Sequence, residues 1–213
     1  MVYGESVPFK KEFEMKIFFL AVSVFLLISA TNGFSADFLY HSDGPYKGKV
    51  VDLDTGQPIE GAVVAGVWAL SFNFTPFCDA KETVTDKEGE FILPKASCFT
   101  LWPLAEMDRM DIVVFKPGYL GYPPLGPSPE ERRARMPDFT GDEFKNRDQY
   151  YIIKLGKPNT REEKEFTYYG VGGLFISDQA FRKLPLLLES VNQEGRSLGM
   201  KGEYGPMGKG GKK

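Results

Sequence analysis

The stretch KGKVVDLDTGQPIEGAVV, from Lys47 to Val64, decides the fold predicted for this chain. Two runs rich in β-branched residues flank a short polar segment, Asp54-Thr55-Gly56-Gln57-Pro58, here named the polar knot. Gly56 permits a positive φ, Pro58 cannot join a central ladder, and Asp54 can hydrogen-bond its own backbone. The stretch therefore predicts two strands joined by a tight turn, in which Asp54, Thr55, Gly56 and Pro58 have structural roles.

The same knot allows a second interpretation, because an Asp-x-Asp-x-Gly pattern begins some calcium loops. Asp52 and Asp54 would then be metal ligands. The later ligands and the closing glutamate of an EF-hand loop are missing at their spacing, which favours the turn. We predict no metal site and no cofactor.

Short strands extend outward from this stretch, separated by turn residues that include many of the 23 glycines and 15 prolines. Asp86 and Gly89 are expected to form the turn of a hairpin between two of these strands. Seven short strands in about 110 residues are typical of a β-sandwich of the immunoglobulin-like kind. The predicted strands are 46–53, 61–70, 82–86, 90–94, 98–102, 110–119 and 149–155.

The N-terminal region has the features of a secretory signal peptide. Lys16 precedes a run of apolar or small residues at 17–30, which is short for a transmembrane helix. We predict a signal peptide over 1–36, with translation starting at Met15, and a linker over 37–45. A long n-region or an uncleaved anchor is the alternative. The chain is predicted to be exported, and its predicted location is the periplasm, the cell surface or the medium outside the cell.

Export gives the two cysteines a structural meaning. Cys78 and Cys98 are the only cysteines, and an oxidising compartment allows them to form a disulfide. Two buried thiols are the alternative. Because no histidine lies near them in the sequence, a zinc site is not favoured.

Charge and residue counts argue against several classes of function. The net charge is −3, so no basic surplus exists to neutralise phosphates, and nucleic-acid binding is not expected. The only histidine, His41, falls in the predicted linker, where we expect it to be solvated. The sequence contains no nucleophile elbow, phosphate loop or metal-ligand spacing, so the chain is predicted not to be an enzyme.

Three separated motifs carry a family likeness. GKVVDLDTGQPIEGAVV, ETVTDKEGEFILP and DIVVFKPGY occur in this order within residues 46–119. The segment resembles the carboxypeptidase regulatory-like domain, which implies a transthyretin-like β-sandwich over 46–155. That domain is an accessory module with no catalytic residues of its own, so the resemblance implies a fold and no activity.

Two segments exceed the minimal module. In the first, Trp68, Phe72, Phe74 and Phe77 either cap the core or form an exposed aromatic ledge, which Trp102 could extend. The second is a long loop over 123–149. It contains Arg132, Arg133 and Arg135, which are either solvated or able to dock an acidic partner.

The C-terminal part is predicted to be a connector followed by helices over 156–200 and a disordered Gly/Lys tail over 201–213. Leu184, Leu187, Leu188 and Val191 form an apolar stripe at helical spacing. The stripe is expected to pack on the sandwich, and contact with a partner or weak contact with a membrane surface is the alternative. Pro185 is expected to open a helix at its first position.

These observations favour a non-catalytic, exported β-sandwich module for protein interaction or scaffolding in the cell envelope. The alternative is a carbohydrate-binding module that uses exposed aromatic residues of the 68–78 loop. The expected partner is accordingly an envelope protein or an envelope polysaccharide.

Overall fold

The computed structural model describes residues 16, 18–20, 22–24, 39–71, 77–101, 105–123, 144, 146, 148–173 and 178–205. The chain divides into two compact units, residues 1–38 and residues 39–213. In the first unit the described residues are helical and exposed. None of the helices formed by described residues is long and apolar enough to cross a membrane. The signal peptide stays a prediction.

The described part of the second unit is mainly β and contains eight strands. Most of them coincide with strands predicted from the sequence pattern. They are β1 (Tyr40–Asp43), β2 (Tyr46–Asp52), β3 (Val63–Ser71), β4 (Phe77–Val84), β5 (Glu90–Leu93), β6 (Ala96–Phe99), β7 (Glu106–Phe115) and β8 (Tyr150–Leu155).

The strands form two three-stranded sheets and one two-stranded sheet. In the first sheet the order is β5-β2-β8, with β5 antiparallel and β8 parallel to β2. The second sheet has the order β4-β3-β7 and is antiparallel throughout. The two-stranded sheet pairs β1 with β6. This mainly-β arrangement is consistent with the predicted β-sandwich.

One hydrophobic core contains residues from both three-stranded sheets, and we call it the first core. Val50 of β2, Trp68 of β3 and Leu155 of β8 are among its buried members. In β8 exposed and buried side chains alternate, as expected for a strand with one face in a core and one in solvent. By contrast, β3 is a nearly continuous apolar run, and most of its residues are buried.

A second core lies between the β4-β3-β7 sheet and the C-terminal helices α1 (Arg161–Gly173), α2 (Asp178–Phe181) and α3 (Pro185–Ser197). Leu184, Leu187 and Val191 pack there with strand residues that include Val63 and Phe115. The expected packing of the apolar stripe on the sheet is thereby confirmed for three of its four members. Proline does begin α3, where its missing N–H leaves no donor unpaired.

The prediction of a connector at the start of 156–200 is wrong in part, because residues 161–173 form α1. Its start is a reciprocal cap, in which the Glu163 N–H donates to Thr160 Oγ1 and the Asn159 N–H donates to the Glu163 carboxylate. This Thr-x-x-Glu pattern is a helix-start signal that is readable in the sequence. The glycines near the end of α1 favour a loop instead, which is why the helix is missed.

Two other predictions are corrected by the strand pairing. Residues 40–43 of the predicted linker form β1, which is held by its ladder with β6. The predicted hairpin of 82–94 is a turn between two sheets, since β4 pairs with β3 and β5 pairs with β2. The turn itself is as predicted: Gly89 has a φ of 75°, and Asp86 accepts the N–H groups of Glu88 and Glu90.

The predicted long loop 123–149 falls mostly outside the described residues. Near its end, Phe144 stacks on Tyr151 of β8 with ring centroids 4.2 Å apart. The Tyr151 hydroxyl also donates to the Asn146 carbonyl at 2.6 Å. The end of the loop is therefore fastened to the first core.

Candidate functional site

Of the two interpretations of its segment, Trp68 follows the first and packs in the core; the interpretation as part of an exposed aromatic ledge is wrong for this residue. Its side chain is fully buried in the first core, and its indole N–H donates to Asp43 Oδ2 at 2.8 Å. The physical reason is that β3 lies in the middle of its sheet, so a large side chain facing the first core cannot reach solvent. Trp68 therefore serves to pack the core and to hold β1.

The remaining members of the predicted binding set have different outcomes. Phe77 is half-buried against the second core, with Lys183 Nζ 5.8 Å from its ring centroid. It is thus part of the contact between β4 and the helices. The other predicted binding residues, Phe72, Phe74, Trp102, Arg132, Arg133 and Arg135, lie outside the described residues.

The predicted disulfide is confirmed. Cys78 of β4 and Cys98 of β6 are bonded, with their Cα atoms 5.4 Å apart. The bond connects the β4-β3-β7 sheet to the two-stranded β1-β6 sheet. Because Phe99 directly follows Cys98, the bond also restrains the surface that β6 presents.

That surface is an exposed group of Tyr40, Phe99 and Leu101, here named the β1-β6 ledge. Tyr40 and Phe99 are directly opposite each other in the ladder. Their exposed fractions are 49% and 62%, and that of Leu101 is 79%. The Thr100 N–H donates to the Leu39 carbonyl, which extends the pairing beyond Phe99. Exposed aromatic side chains on a paired backbone form a ready contact surface.

Asp43 fastens the opposite end of β1. Its Oδ2 atom accepts the Tyr46 hydroxyl at 2.6 Å as well as the Trp68 indole N–H. Both donors are buried members of the first core. The disulfide and the Asp43 carboxylate therefore both connect the β1-β6 ledge to the sandwich.

A buried carboxylate, Asp79, joins β4 to β6 and to the turn between α2 and α3. It accepts the Ser97 N–H at 3.2 Å and forms ion pairs with Lys81 at 3.2 Å and Lys183 at 2.5 Å. Burial opposes its ionisation, but these donors outweigh burial and lower the Asp79 pKa. Its partners make Asp79 a structural junction between three elements.

The polar knot forms a turn, which is stabilised by the carboxylate of Asp52, a residue that precedes the knot. The Asp52 carboxylate accepts the N–H groups of Thr55 at 3.0 Å and Asp54 at 3.1 Å, while Gly56 has a φ of 69°. It also accepts the Tyr119 hydroxyl and pairs with Lys157 at 3.1 Å. The structural role predicted for Asp54 thus belongs to Asp52, because the buried carboxylate is the one aimed back into the turn.

These contacts explain the charge state of Asp52. The backbone N–H of Thr55, followed by Lys157, holds the pKa of the Asp52 carboxyl well below its usual range. The carboxylate is already surrounded by donors. Within the described parts of the chain, no group of three or more His, Cys, Asp or Glu side chains is arranged to hold a metal ion.

His41 does not lie in a linker, so that expectation is wrong. It lies in β1 opposite Cys98, and its Nε2 atom is buried without a hydrogen-bond partner among the described residues. Because side chains alternate along a strand, His41 and Tyr40 lie on opposite sides of the β1-β6 sheet. Sequence reasoning missed the ledge itself, because YHSD has no alternation of apolar and polar residues that would predict a strand.

Comparison with protein-family models, curated proteins and solved structures finds no match to this chain. The resemblance to the carboxypeptidase regulatory-like domain therefore stays a prediction.

Proposed function

We propose that the chain is a non-catalytic, exported β-sandwich module for protein interaction or scaffolding in the cell envelope. The observation that carries the proposal is the β1-β6 ledge, in which two aromatic side chains and a leucine are exposed together. Aromatic residues are enriched in protein interfaces, where they supply large contact areas with few rotatable bonds.

The way the ledge is held supports this proposal. Binding costs conformational entropy for every side chain and backbone segment that must be ordered. The disulfide and the bonds of Asp43 order the backbone of β1 and β6 in advance. A partner would therefore meet a prearranged surface and lose less affinity to ordering.

Export is part of the proposal and rests on two observations. The disulfide is of a kind that persists in oxidising compartments and is rare in the cytosol. The apolar run at 17–30 has the length of a signal peptide core. We also propose a transthyretin-like arrangement for the sandwich, supported by the three motifs within 46–119. Its test is an experimental structure, which would contradict the arrangement if the strand order differed.

A carbohydrate-binding module is the second candidate, and the same ledge favours it. Tyr40 and Phe99 are opposite each other in the ladder and both side chains are exposed, and a sugar ring can stack on an exposed aromatic side chain. None of the three ledge residues is charged, which suits a neutral glycan. The two candidates thus share a surface and differ in the chemistry of the partner.

One experiment separates them. Native envelope material is freed of lipid and divided into a protein fraction and a polysaccharide fraction. Each fraction is immobilised, and retention of the oxidised chain is measured. Retention on the protein fraction that falls at least tenfold in the Tyr40→Ser/Phe99→Ser variant would support the leading proposal. Retention only on polysaccharide, with the same loss, would support the second candidate.

The matched control is Ile92→Ser/Ile152→Ser, which removes two apolar side chains of similar exposure from another surface. Both variants should keep the far-ultraviolet circular dichroism and the unfolding midpoint of the parent chain, since exposed positions contribute little to stability. Equal retention of the parent chain and the Tyr40→Ser/Phe99→Ser variant would contradict both candidates.

A further inference from the structure

The β5-β2-β8 sheet has one face in the first core and one face in solvent. The register places Lys47 of β2 between Ile92 of β5 and Tyr150 of β8. Further along β2, Lys49 lies between Glu90 and Ile152. We name this solvent-side surface the outer face; it consists of Lys47, Lys49, Glu90, Ile92, Tyr150, Ile152 and Lys154.

The outer face exposes large apolar side chains, whereas the solvent-facing side of a sheet is ordinarily polar. The exposed fractions of Ile92 and Ile152 are 59% and 64%, and Tyr150 is 49% exposed. Lone exposed apolar residues are ordinary, but here three lie within two rows of one small sheet. Each of the two isoleucines has a lysine as its direct neighbour on β2.

The charge of the outer face is opposite to that of the chain. Its three lysines and one glutamate give it a positive net charge, whereas the chain has a net charge of −3. No ion pair between described residues involves Lys47, Lys49 or Lys154. Glu90 is engaged by the Tyr150 hydroxyl, which donates to it at 3.0 Å. The positive charge is therefore available to a partner.

We propose that the outer face binds the anionic headgroup surface of a lipid membrane. All three of its cations are lysines, whose flexible stems and unforked charges suit a fluid layer of headgroups. Lysine is depleted in protein interfaces, where arginine is preferred. Exposed isoleucines can enter the upper acyl region while tyrosine lies at headgroup level. This binding goes beyond the proposed function and uses a different surface from the β1-β6 ledge.

Charge argues against a second copy of the chain as the occupant. A two-fold dimer formed through the outer face would bring two identical lysine sets together. Like charges facing each other oppose such packing. The membrane contact would also be separate from the α3 stripe, whose buried leucines pack in the second core.

The number of charged residues on the outer face sets how strongly it should prefer an anionic membrane to a neutral one. Each basic residue near an anionic membrane strengthens partitioning about fivefold at moderate salt, and Glu90 offsets one of the three lysines, so the outer face strengthens it about 25-fold. This attraction is screened by salt, because the Debye length falls from about 10 Å at 0.1 M to about 3 Å at 1 M. Binding should therefore depend on both lipid charge and salt.

The test is co-sedimentation of residues 39–213 with lipid vesicles. This unit contains both hydrophobic cores, and its use removes the apolar run at 17–30, which would itself bind lipid. Vesicles of phosphatidylcholine alone are compared with vesicles of equal parts phosphatidylcholine and phosphatidylglycerol. We expect at least tenfold stronger partitioning onto the anionic vesicles at about 0.1 M salt, and loss of most of this preference at about 1 M.

Charge reversal identifies the surface. The variant Lys47→Glu/Lys49→Glu/Lys154→Glu should lose the preference for anionic vesicles. The control variant Lys87→Glu/Lys164→Glu/Lys201→Glu makes the same charge change elsewhere and should keep most of it. If the reversal variant unfolds by circular dichroism, the neutral variant Lys47→Gln/Lys49→Gln/Lys154→Gln replaces it, with the same expectation.

Three outcomes would overturn the proposal. The first is no binding to anionic vesicles at about 0.1 M salt. The second is equal binding to both vesicle types. The third is equal loss of binding in the outer-face variant and the control variant, which would mean that net charge rather than this surface is responsible.

Discussion

The disulfide offers the sharpest test of how the β1-β6 ledge is held. Reduction, or the variant Cys78→Ala/Cys98→Ala, removes the covalent connection between β4 and β6. What remains between the ledge and the sandwich includes the Ser97 N–H bond to Asp79 and the bonds of Asp43. We expect the chain to stay folded, with lower stability and a loosened ledge.

The magnitude follows from the length of chain that the bond closes. The two cysteines are 20 residues apart. The chain-entropy relation gives about 3 kcal/mol for a loop of this length. Each remaining hydrogen bond contributes about 1 kcal/mol, which is less than the disulfide contributes. The ledge should therefore be held less firmly once the disulfide is gone.

The assay is urea unfolding followed by circular dichroism, with and without a thiol reductant. The free energy of unfolding should fall by about 3 kcal/mol on reduction. Amide hydrogen exchange of the folded, reduced chain should show the largest gain in rate in Tyr40–Asp43 and Ala96–Phe99. The Cys78→Ala/Cys98→Ala variant is the control, because reductant should not change its midpoint.

Two results would refute the reasoning. One is an unchanged midpoint after thiol titration has shown two free thiols. The other is a rise in exchange rate that is spread evenly over all strands, since the lost bond restrains the β1-β6 sheet.

Three further predictions concern the turn and the second core. Asp52→Asn should lower stability at pH 7, because a carboxyl with a lowered native pKa stabilises the fold above its unfolded-state pKa of about 4. The deficit should shrink below that pH, and an equal deficit in the urea midpoint at pH 7 and pH 3 would contradict this. Leu187→Ala should lower the free energy of unfolding by about 2–5 kcal/mol, whereas the exposed neighbour Leu186→Ala should change it by less than about 1 kcal/mol. Similar losses in urea unfolding would argue against docking of α3. Gly195→Ala should lower the melting temperature and cost about 1–3 kcal/mol, since the new Cβ would collide with the Tyr168 ring. A higher melting temperature would contradict this, because it would mean that the Tyr168 ring moves aside and that the higher helix propensity of alanine dominates.

The strands were predictable because their information is local. In β8, Tyr151, Ile153 and Leu155 are buried and alternate with exposed residues, so period and burial agree. The nearly continuous apolar run of β3 is typical of a strand covered on both faces, and most of its residues are buried. The same pattern favours the core position of Trp68 over the exposed ledge, because Trp68 lies within this continuous apolar run.

The missed features depend on contacts between distant parts of the chain. Tyr40–Asp43 has no strand pattern, and it becomes a strand because β6 supplies a ladder and Asp43 finds donors on Trp68 and Tyr46. Likewise, the turn at Asp86 looks like a hairpin locally. Only the pairing of its flanking strands with different sheets shows otherwise.

The candidate site was predictable only as a type of surface. An exposed aromatic surface is one of two alternatives that the sequence offers, but Tyr40 and Phe99 are not among its residues, since they are paired by a ladder that the sequence pattern does not predict. The start of α1 is a different case, because the Thr160 and Glu163 cap was present in the sequence and was outweighed by nearby glycines.

The most direct measurement of the central claim is site-specific photo-crosslinking in the native envelope. A photoreactive phenylalanine analogue replaces Phe99 in one full-length chain and Ile92 in a second. We expect one stoichiometric protein adduct from position 99, lost when Tyr40 is also changed to Ser, and no such protein adduct from position 92. An identical adduct pattern from both positions, or none from position 99, would contradict the claim that the β1-β6 ledge is the contact surface of a protein-interaction module.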